Sequence, residues 1–482
     1  MTQIYKNFIG GEWTNCRTGK TFPNVNPADT REIVGEFQDS DETDVRDAIA
    51  AARKAQAVWA NTPAPKRGEI LFRAANLLEQ RGAEIAREMT REEGKILPEA
   101  VGETARAINI LRFFAGEGAR LAGAAIPSER DRVFIHTVKK PLGVVGLITP
   151  WNFPIAIPAW KLAPALIAGN AVVIKPSEHA PLCTLRLIEI LDEAGVTKGA
   201  LNLITGAGKA GAEIVSNLNV DAISFTGSEA TGSAIAVEAA KRRARLQLEM
   251  GGKNPTIVLK DADLDEAVGI VSNAAYFSTG QKCTATSRVI VEEAVLPEFT
   301  ERLRMKTANL RVGNGLENGI EIGPAINEPQ LEKIVSAVLQ AQKDGAKILA
   351  GGEHLTGGEL ARGYFYSPTL LTDVNPQMEI AQEEVFGPVL AILPARNIDE
   401  AVSLANDIRF GLSAAICTRS ITSAFEFINR VQAGLIMVNL PSAGVEYQVP
   451  FGGTKSSSIG MREQGAVAVD FYTQMQTVYL KY

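Results

Sequence analysis

Apolar residues recur every three to four positions among charged ones over 41–59 and 66–93, and this spacing predicts two helices. Short strand-like pieces precede them, and the chain up to about 118 stays helical after them. Residues 132–139 read as a strand. From Gly143 the pattern changes. Short apolar runs at 143–148, 171–174, 201–204 and 222–225 alternate with helical spacing at 155–167, 182–194, 210–218 and 231–243. Uniformly apolar strands separated by helices predict a parallel, doubly wound sheet covered on both faces. Such sheets bind ligands beyond the carboxyl ends of their strands. A second α/β block spans about 254–439, with strands at 256–259, 288–291, 347–349, 389–393, 414–417 and 435–438. Its helices include 330–344 and 398–406. The last stretch, 471–482, is rich in Tyr, Thr and Val. As a strand it would expose unpaired backbone groups unless it paired with 132–139 or with a partner subunit.

Composition narrows the function. The 482 residues suffice for two to four domains. Hydrophobic residues at 46% and charged ones at 22% are ordinary for a globular protein. The net charge of −6, with no basic stripe, argues against nucleic acid as a partner. The first 13 residues show no basic segment running into an apolar one, and no apolar run approaches the length of a membrane span. A cytoplasmic location with no membrane partner is expected. Cys16, Cys183, Cys283 and Cys417 form neither a disulfide framework nor a zinc spacing. His136, His179 and His354 are too few and too dispersed for a metal site or a Ser-His-Asp triad. No metal is expected.

Several short motifs are candidates for chemistry. Gly206-Ala-Gly208-Lys-Ala-Gly211 has the G-x-G-x-x-G form between a strand and a helix, although no acid follows about 20 residues on. It reads equally well as a plain glycine turn. Phe225-Thr226-Gly227-Ser228, followed by Thr231, also leads from a strand into a helix, whose free N–H groups would suit a phosphate. Lys175, Ser177 and Glu178 sit at a strand end where a nucleotide ribose could bind, or form a solvated loop. Cys283, between a helix and a strand, is a nucleophile if its surroundings activate it, and otherwise a buried inert thiol. Glu249 follows an apolar strand and precedes Met250, Gly251 and Gly252. With so few histidines, a carboxylate is the natural general base.

Together these segments resemble the aldehyde dehydrogenase superfamily. The likeness rests on Thr149-Pro150-Trp151-Asn152-Phe-Pro154, Lys175-Pro-Ser177-Glu178, Phe225-Thr-Gly-Ser228 and Leu248-Glu249-Met250-Gly251-Gly-Lys253. It continues in Gly280-Gln-Lys-Cys283, Glu383-Glu384-Val-Phe386-Gly-Pro388 and Pro450-Phe-Gly-Gly453. The resemblance implies an α/β fold with a Rossmann-type nucleotide domain (1–118 and 142–251) and an α/β catalytic domain (252–461). A small β oligomerisation ribbon (119–141 and 462–482) would complete it. It implies NAD or NADP as cofactor, a small-molecule aldehyde as substrate, and a homodimer or homotetramer.

The catalytic residues so implied are Cys283 as thioester-forming nucleophile, Glu249 as base for hydrolysis, and Asn152 as oxyanion donor. Relatives that transfer the acyl group to coenzyme A lack that glutamate, so a free acid is the implied product. The cofactor-binding residues are Ile148, Thr149, Pro150, Trp151, Lys175, Ser177, Glu178, Phe225, Thr226, Gly227, Ser228, Thr231, Met250, Gly251, Glu384 and Phe386. Gly208 and Gly211 take a lesser, adenine-side part. Residues 439–458 are similar to those of α-ketoglutarate semialdehyde (2,5-dioxovalerate) dehydrogenases. Succinate semialdehyde, betaine aldehyde and simple aldehydes are alternative substrates. An acidic substrate calls for an Arg or Lys in its pocket. None is identifiable by motif, and Trp160 offers an apolar wall instead. A non-catalytic protein keeping the fold, or an alcohol or hydroxy-acid dehydrogenase, are the rival classes.

Overall fold

The computed structural model describes residues 2–482. Its first sheet is built from Val144–Thr149, Ala171–Pro176, Leu201–Leu203, Ala222–Thr226 and Arg245–Glu249, all parallel. Across the sheet they run third, second, first, fourth, fifth in chain order. The order therefore reverses between 144–149 and 222–226, which leaves a crevice beyond their carboxyl ends. Alternation along each strand explains why these runs are apolar throughout. Val145, Leu147, Val172 and Ile174 face the helices Ala64–Glu93, Leu97–Glu117, Ala156–Ile167 and Leu182–Glu193. Val144, Ala171, Val173 and Ile223 face Glu42–Asn61, Gly208–Ser216 and Glu229–Lys241.

The second sheet has seven strands, centred on Val389–Ala395, Thr286–Glu292, Asn254–Val258 and Ser413–Cys417, which are parallel. Its outer pair, Lys347–Ala350 and Thr369–Thr372, is antiparallel. One element ties the late chain to the first sheet. Ser458–Ile459 adds antiparallel to Arg245–Glu249, with Glu249 opposite Ser458. The terminal strand Thr473–Lys481 pairs antiparallel with Val133–Pro141 over its whole length and remains at the edge of a three-stranded sheet.

Several boundaries differ from the pattern by one or two residues, three of them with a bearing on the first sheet. The helix expected at 231–243 is Glu229–Lys241, because Ser228 Oγ accepts from the Thr231 N–H at 3.3 Å and caps it two residues earlier. The helix expected at 210–218 is Gly208–Ser216, and Leu218, counted on its apolar face, is 80% exposed. Glu249 does not follow its strand but is the last residue of it. Among the described residues, no helix is long and apolar enough to cross a membrane. Nor does any group of three or more His, Cys, Asp or Glu side chains among them form a metal cage.

Candidate active site

The crevice at the chain reversal holds a cavity of about 160 Å³. The turn after 144–149 supplies Pro150, Trp151 and Asn152, and the turn after 222–226 supplies Gly227 and Ser228. Met250, Gly251, Glu384 and Phe386 close the other walls, and Cys283 is also part of the lining. With Gln330 and Lys333, residues from six separate stretches of sequence line it, and the two turns meet because strands one and four are neighbours.

The glycines here are required by close approach. A Cβ on Gly227 would lie 2.5 Å from the Phe225 ring, and one on Gly232 would lie 2.4 Å from Met250 Sδ. One on Gly251 would lie 2.3 Å from Glu384 Oε2. Glu384 Oε1 in turn accepts from the Gly252 N–H at 2.9 Å, so the glycine pair is what seats this carboxylate. Burial raises the Glu384 pKa above the usual carboxylate range. Phe386 has a left-handed backbone (φ 61°) and meets Trp151 edge to face, ring centroids 5.4 Å apart. Gln330 Nε2 holds that turn by donating to the carbonyls of Val385 and Phe386, both at 3.0 Å.

The cleft has the chemistry a dinucleotide asks for. Thr149 Oγ1 and Thr226 Oγ1, at the ends of the two reversal strands, are buried hydroxyls with no hydrogen-bond partner. The capped N-terminus of the 229–241 helix stands beside them. Glu229 in its first turn is paired with Arg409 at 2.8 Å, which offsets its charge. Ile148, Lys175 and Gly211 form an adjoining patch. The Cβ direction of Gly211 points at Lys175 Cδ (3.7 Å) and Ile148 Cδ1 (3.8 Å). Lys175 Nζ donates to Pro176 O at 2.8 Å and faces Glu178 Oε2 at 3.4 Å. Burial is the largest single influence and disfavours ionised Glu178, but the Lys175 ammonium, a backbone hydrogen bond and His179 together outweigh it, and the Glu178 pKa lies below its ordinary value. Ser177 Oγ only accepts from the His179 N–H at 3.3 Å. Gly208 has no neighbour within 4 Å in its Cβ direction and does not line the cleft. The Gly206–Gly211 loop follows the third strand, away from the reversal, so the chain's G-x-G-x-x-G does not occupy the position that this motif has after a first strand.

Cys283 follows a strained turn. Ser278, Thr279 and Gly280 all have left-handed backbones, at φ 53°, 55° and 65°. The Ser278 N–H donates to Glu99 Oε1 at 2.7 Å, and Thr279 Oγ1 donates to Gly323 O at 3.1 Å. A Cβ on Gly280 would strike Gly387 O at 2.2 Å. Asn254 Nδ2 donates to Cys283 O at 2.8 Å and so fixes the backbone at the thiol. Burial, with the Glu384, Glu249 and Glu463 carboxylates nearby, pushes the Cys283 thiol up to about 12. Asn152 is buried; its Nδ2 donates to Gln281 O at 2.9 Å, and its carbonyl accepts from Lys95 Nζ at 2.7 Å. Glu249 is 2% exposed and accepts from Ser458 Oγ at 2.5 Å. Burial, then the neighbouring Glu463, holds its pKa well above the carboxylate range.

Sequence patterns missed Gln330 and Lys333, which line the cleft from the helix Glu328–Lys343. An amphipathic helix carries no local mark of a polar residue aimed at a site 50 residues away in sequence. They also missed Ser458, whose pairing with Glu249 depends on a strand addition between distant segments.

The chain matches the family model described as the aldehyde dehydrogenase family over residues 13–478. It is 46% identical to the α-ketoglutaric semialdehyde dehydrogenase of Bacillus subtilis, over 99% of this chain and 98% of that one. It is 45% identical to the α-ketoglutarate semialdehyde dehydrogenase of Haloferax volcanii, over the full length of both. Among solved structures, betaine aldehyde dehydrogenase of Staphylococcus aureus in complex with NAD+ superposes with a TM-score of 0.97 at 35% identity, covering 99% of this chain and 95% of that one.

Proposed function

The chain belongs to the aldehyde dehydrogenase family, and from that premise we propose that it oxidises α-ketoglutarate semialdehyde to 2-oxoglutarate with NAD, through a thioester on Cys283. That it is an oxidoreductase acting on an aldehyde follows from the family; substrate, cofactor preference and residue roles are the further step. The observation that carries them is the placement of Cys283 and the Asn152 amide in one cleft, with the buried carboxylate of Glu249 close enough to raise the thiol pKa.

The nucleotide is held by Thr149, Pro150, Trp151, Thr226, Gly227, Ser228, Met250, Gly251, Glu384 and Phe386. Ile148, Lys175, Ser177, Glu178, Gly208, Gly211 and Thr231 lie to its adenosine and phosphate side. Glu178 accepts from a free ribose hydroxyl and repels a 2′-phosphate, and Lys175, which would attract that phosphate, is already paired with Glu178. When bound, the nicotinamide supplies the oxidant, taking up the hydride that turns a thiohemiacetal on Cys283 into a thioester.

The protein's own residues perform the rest. The Cys283 thiolate attacks the aldehyde carbon, and the carbonyl oxygen gains negative charge. Asn152 Nδ2 donates to that oxygen; one such donor contributes about 10²–10³ in rate. A thiol near 12 is protonated at rest, so a base must take its proton, and Glu249 is the carboxylate so placed. Glu249 gives that proton up to solvent before the second half, when it takes a proton from water as the water attacks the thioester and returns it to the departing Cys283 sulfur, releasing the acid and the free thiol.

Residues 1–118 and 142–251 form the nucleotide-binding domain, 252–461 the catalytic domain, and 119–141 with 462–482 a ribbon that joins subunits. The protein acts in the cytoplasm as a homo-oligomer, dimer or tetramer. The test is a panel of α-ketoglutarate semialdehyde, succinate semialdehyde, betaine aldehyde and pentanal, each with NAD and NADP, on the native chain and on Cys283→Ala. The expected result is the highest kcat/KM with α-ketoglutarate semialdehyde and NAD, and no turnover by Cys283→Ala while nucleotide still binds. Turnover by that variant would exclude the covalent route, and a different best aldehyde would overturn the substrate.

A further inference from the structure

Arg106 projects from the helix Leu97–Glu117, far in sequence from every motif of the site. Its guanidinium lies over the ring of Trp160, 5.5 Å from the centroid. Trp160 packs on Phe451, ring centroids 5.7 Å apart, and Phe451 shares an apolar cluster with Cys283, Val445 and Met437. Arg106 therefore stands at the end of an aromatic wall that begins at the nucleophile. It is close enough that its charge and the Cys283 thiolate affect each other.

This cation has no counter-ion among the described residues. Glu103 acts on its charge and Glu463 is bonded to the Trp160 it lies over, and both carboxylates are committed elsewhere. Glu103 holds Lys95 Nζ at 2.6 Å and accepts from the N–H groups of Ile155 and Ala156 at 3.0 and 3.1 Å. Glu463 is bonded to Lys161 Nζ and accepts from Trp160 Nε1 at 2.8 Å. The one protein partner of Arg106 is neutral: its Nη2 donates to Gln464 Oε1 at 3.0 Å. Arg106 Nε and Gln464 Nε2 are then two buried donors with no acceptor. Gln464 is fully buried and has a left-handed backbone at φ 56°, so its amide is held in place at a conformational cost. A charged donor and an amide donor left without an acceptor beside an apolar wall are unfavourable until an anion arrives.

We propose that Arg106, with Gln464 beside it, binds the carboxylate at the far end of the substrate, making this pair the specificity determinant for acidic aldehydes. The aldehyde carbon lies at Cys283, the short carbon chain runs along Trp160 and Phe451, and the terminal carboxylate meets the planar guanidinium fork. Burial, which lowers the Arg106 pKa, also strengthens its pull on an anion. The pair supplies the cation that motif reading does not find and gives Trp160 its part as the wall between the two ends. The inference rests on the aldehyde-oxidising reading above, and only its choice of an acidic substrate is added.

The test compares the native chain, Arg106→Met and Arg106→Lys on α-ketoglutarate semialdehyde, succinate semialdehyde and uncharged pentanal, with nucleotide affinity measured alongside. Arg106→Met is expected to lower kcat/KM for the two acidic aldehydes by about 100-fold, mainly through KM, and to leave pentanal within about threefold. Arg106→Lys should recover part of the loss, since it restores the charge but not the fork. Equal loss on all three aldehydes would reduce Arg106 to a structural residue, and undiminished oxidation of the acidic ones would remove it from recognition. A native enzyme that prefers pentanal would also overturn the proposal. One that takes succinate semialdehyde but not α-ketoglutarate semialdehyde, with the Arg106 selectivity intact, would overturn only the named substrate.

Discussion

Glu249 shows how one hydroxyl sets the working range of a buried base. Burial and Glu463 raise its pKa, while the hydrogen bond from Ser458 opposes them by favouring the carboxylate. The base works only when ionised, so hydrolysis of the thioester increases as pH rises through this elevated pKa. Ser458→Ala removes the lowering contribution, and the acidic limb of the kcat–pH profile should move to higher pH, with the plateau retained. The check is kcat across pH together with the acyl-enzyme burst; an unmoved limb would separate Ser458 from the base. The thiol obeys the same electrostatics in reverse. Burial, with three carboxylates nearby, holds Cys283 protonated at rest, and a protonated thiol resists oxidation, which suits the proposed nucleophile. A cysteine in a loop and an acid near a glycine pair left Cys283 and Glu249 open between catalytic and inert readings, and the family resemblance across several motifs singled them out. Arg106 was not singled out, because a lone arginine on a helix has no sequence mark that distinguishes it from a solvated one.

At the scale of elements, the site depends on a buried ion pair that joins two helices and a turn. Glu103 on 97–117 accepts from the first N–H groups of 156–167, a helix with no side-chain cap of its own. The same carboxylate holds Lys95, whose Nζ also donates to the carbonyl of Asn152. Side-chain exposures of 1% and 2% leave neither charge any solvent to fall back on. Glu103→Gln should therefore cost about 3 kcal/mol of stability by stranding the lysine. It should also lower kcat/KM, because Asn152 loses its anchor. Denaturant unfolding monitored beside steady-state kinetics would read both, and a stability change under about 0.5 kcal/mol would show that Glu93, 3.8 Å from Lys95, suffices as partner. The strands of this region were readable from apolar runs alone, since a strand buried on both faces has no polar alternation to hide it. The start of 229–241 was not, because a side-chain cap and not periodicity decides it.

For the whole molecule, the terminal strand is the clearest liability. Thr473–Lys481 satisfies one edge on Val133–Pro141 and leaves the other free, with Met475 66% and Tyr479 62% exposed. A long, apolar, unpaired edge is a surface for another chain. If the proposed oligomer forms through this edge, a chain ending at Tyr472 should run as a monomer in light scattering and the full chain at a multiple of that mass. A truncated chain of unchanged mass would place the subunit contact elsewhere. What sequence by itself determined is whatever depends on neighbours along the chain: the period of each apolar face, the alternation of strand and helix, and the residue types able to do covalent chemistry. The family resemblance already implied which of two glycine turns takes the lesser part, and strand order supplies the reason; only the tertiary structure decided that Ser458 meets Glu249 and that Arg106 ends the wall starting at Cys283. Those pairings join residues brought together by strand order and sheet addition, and a contact between distant segments leaves no period in either of them.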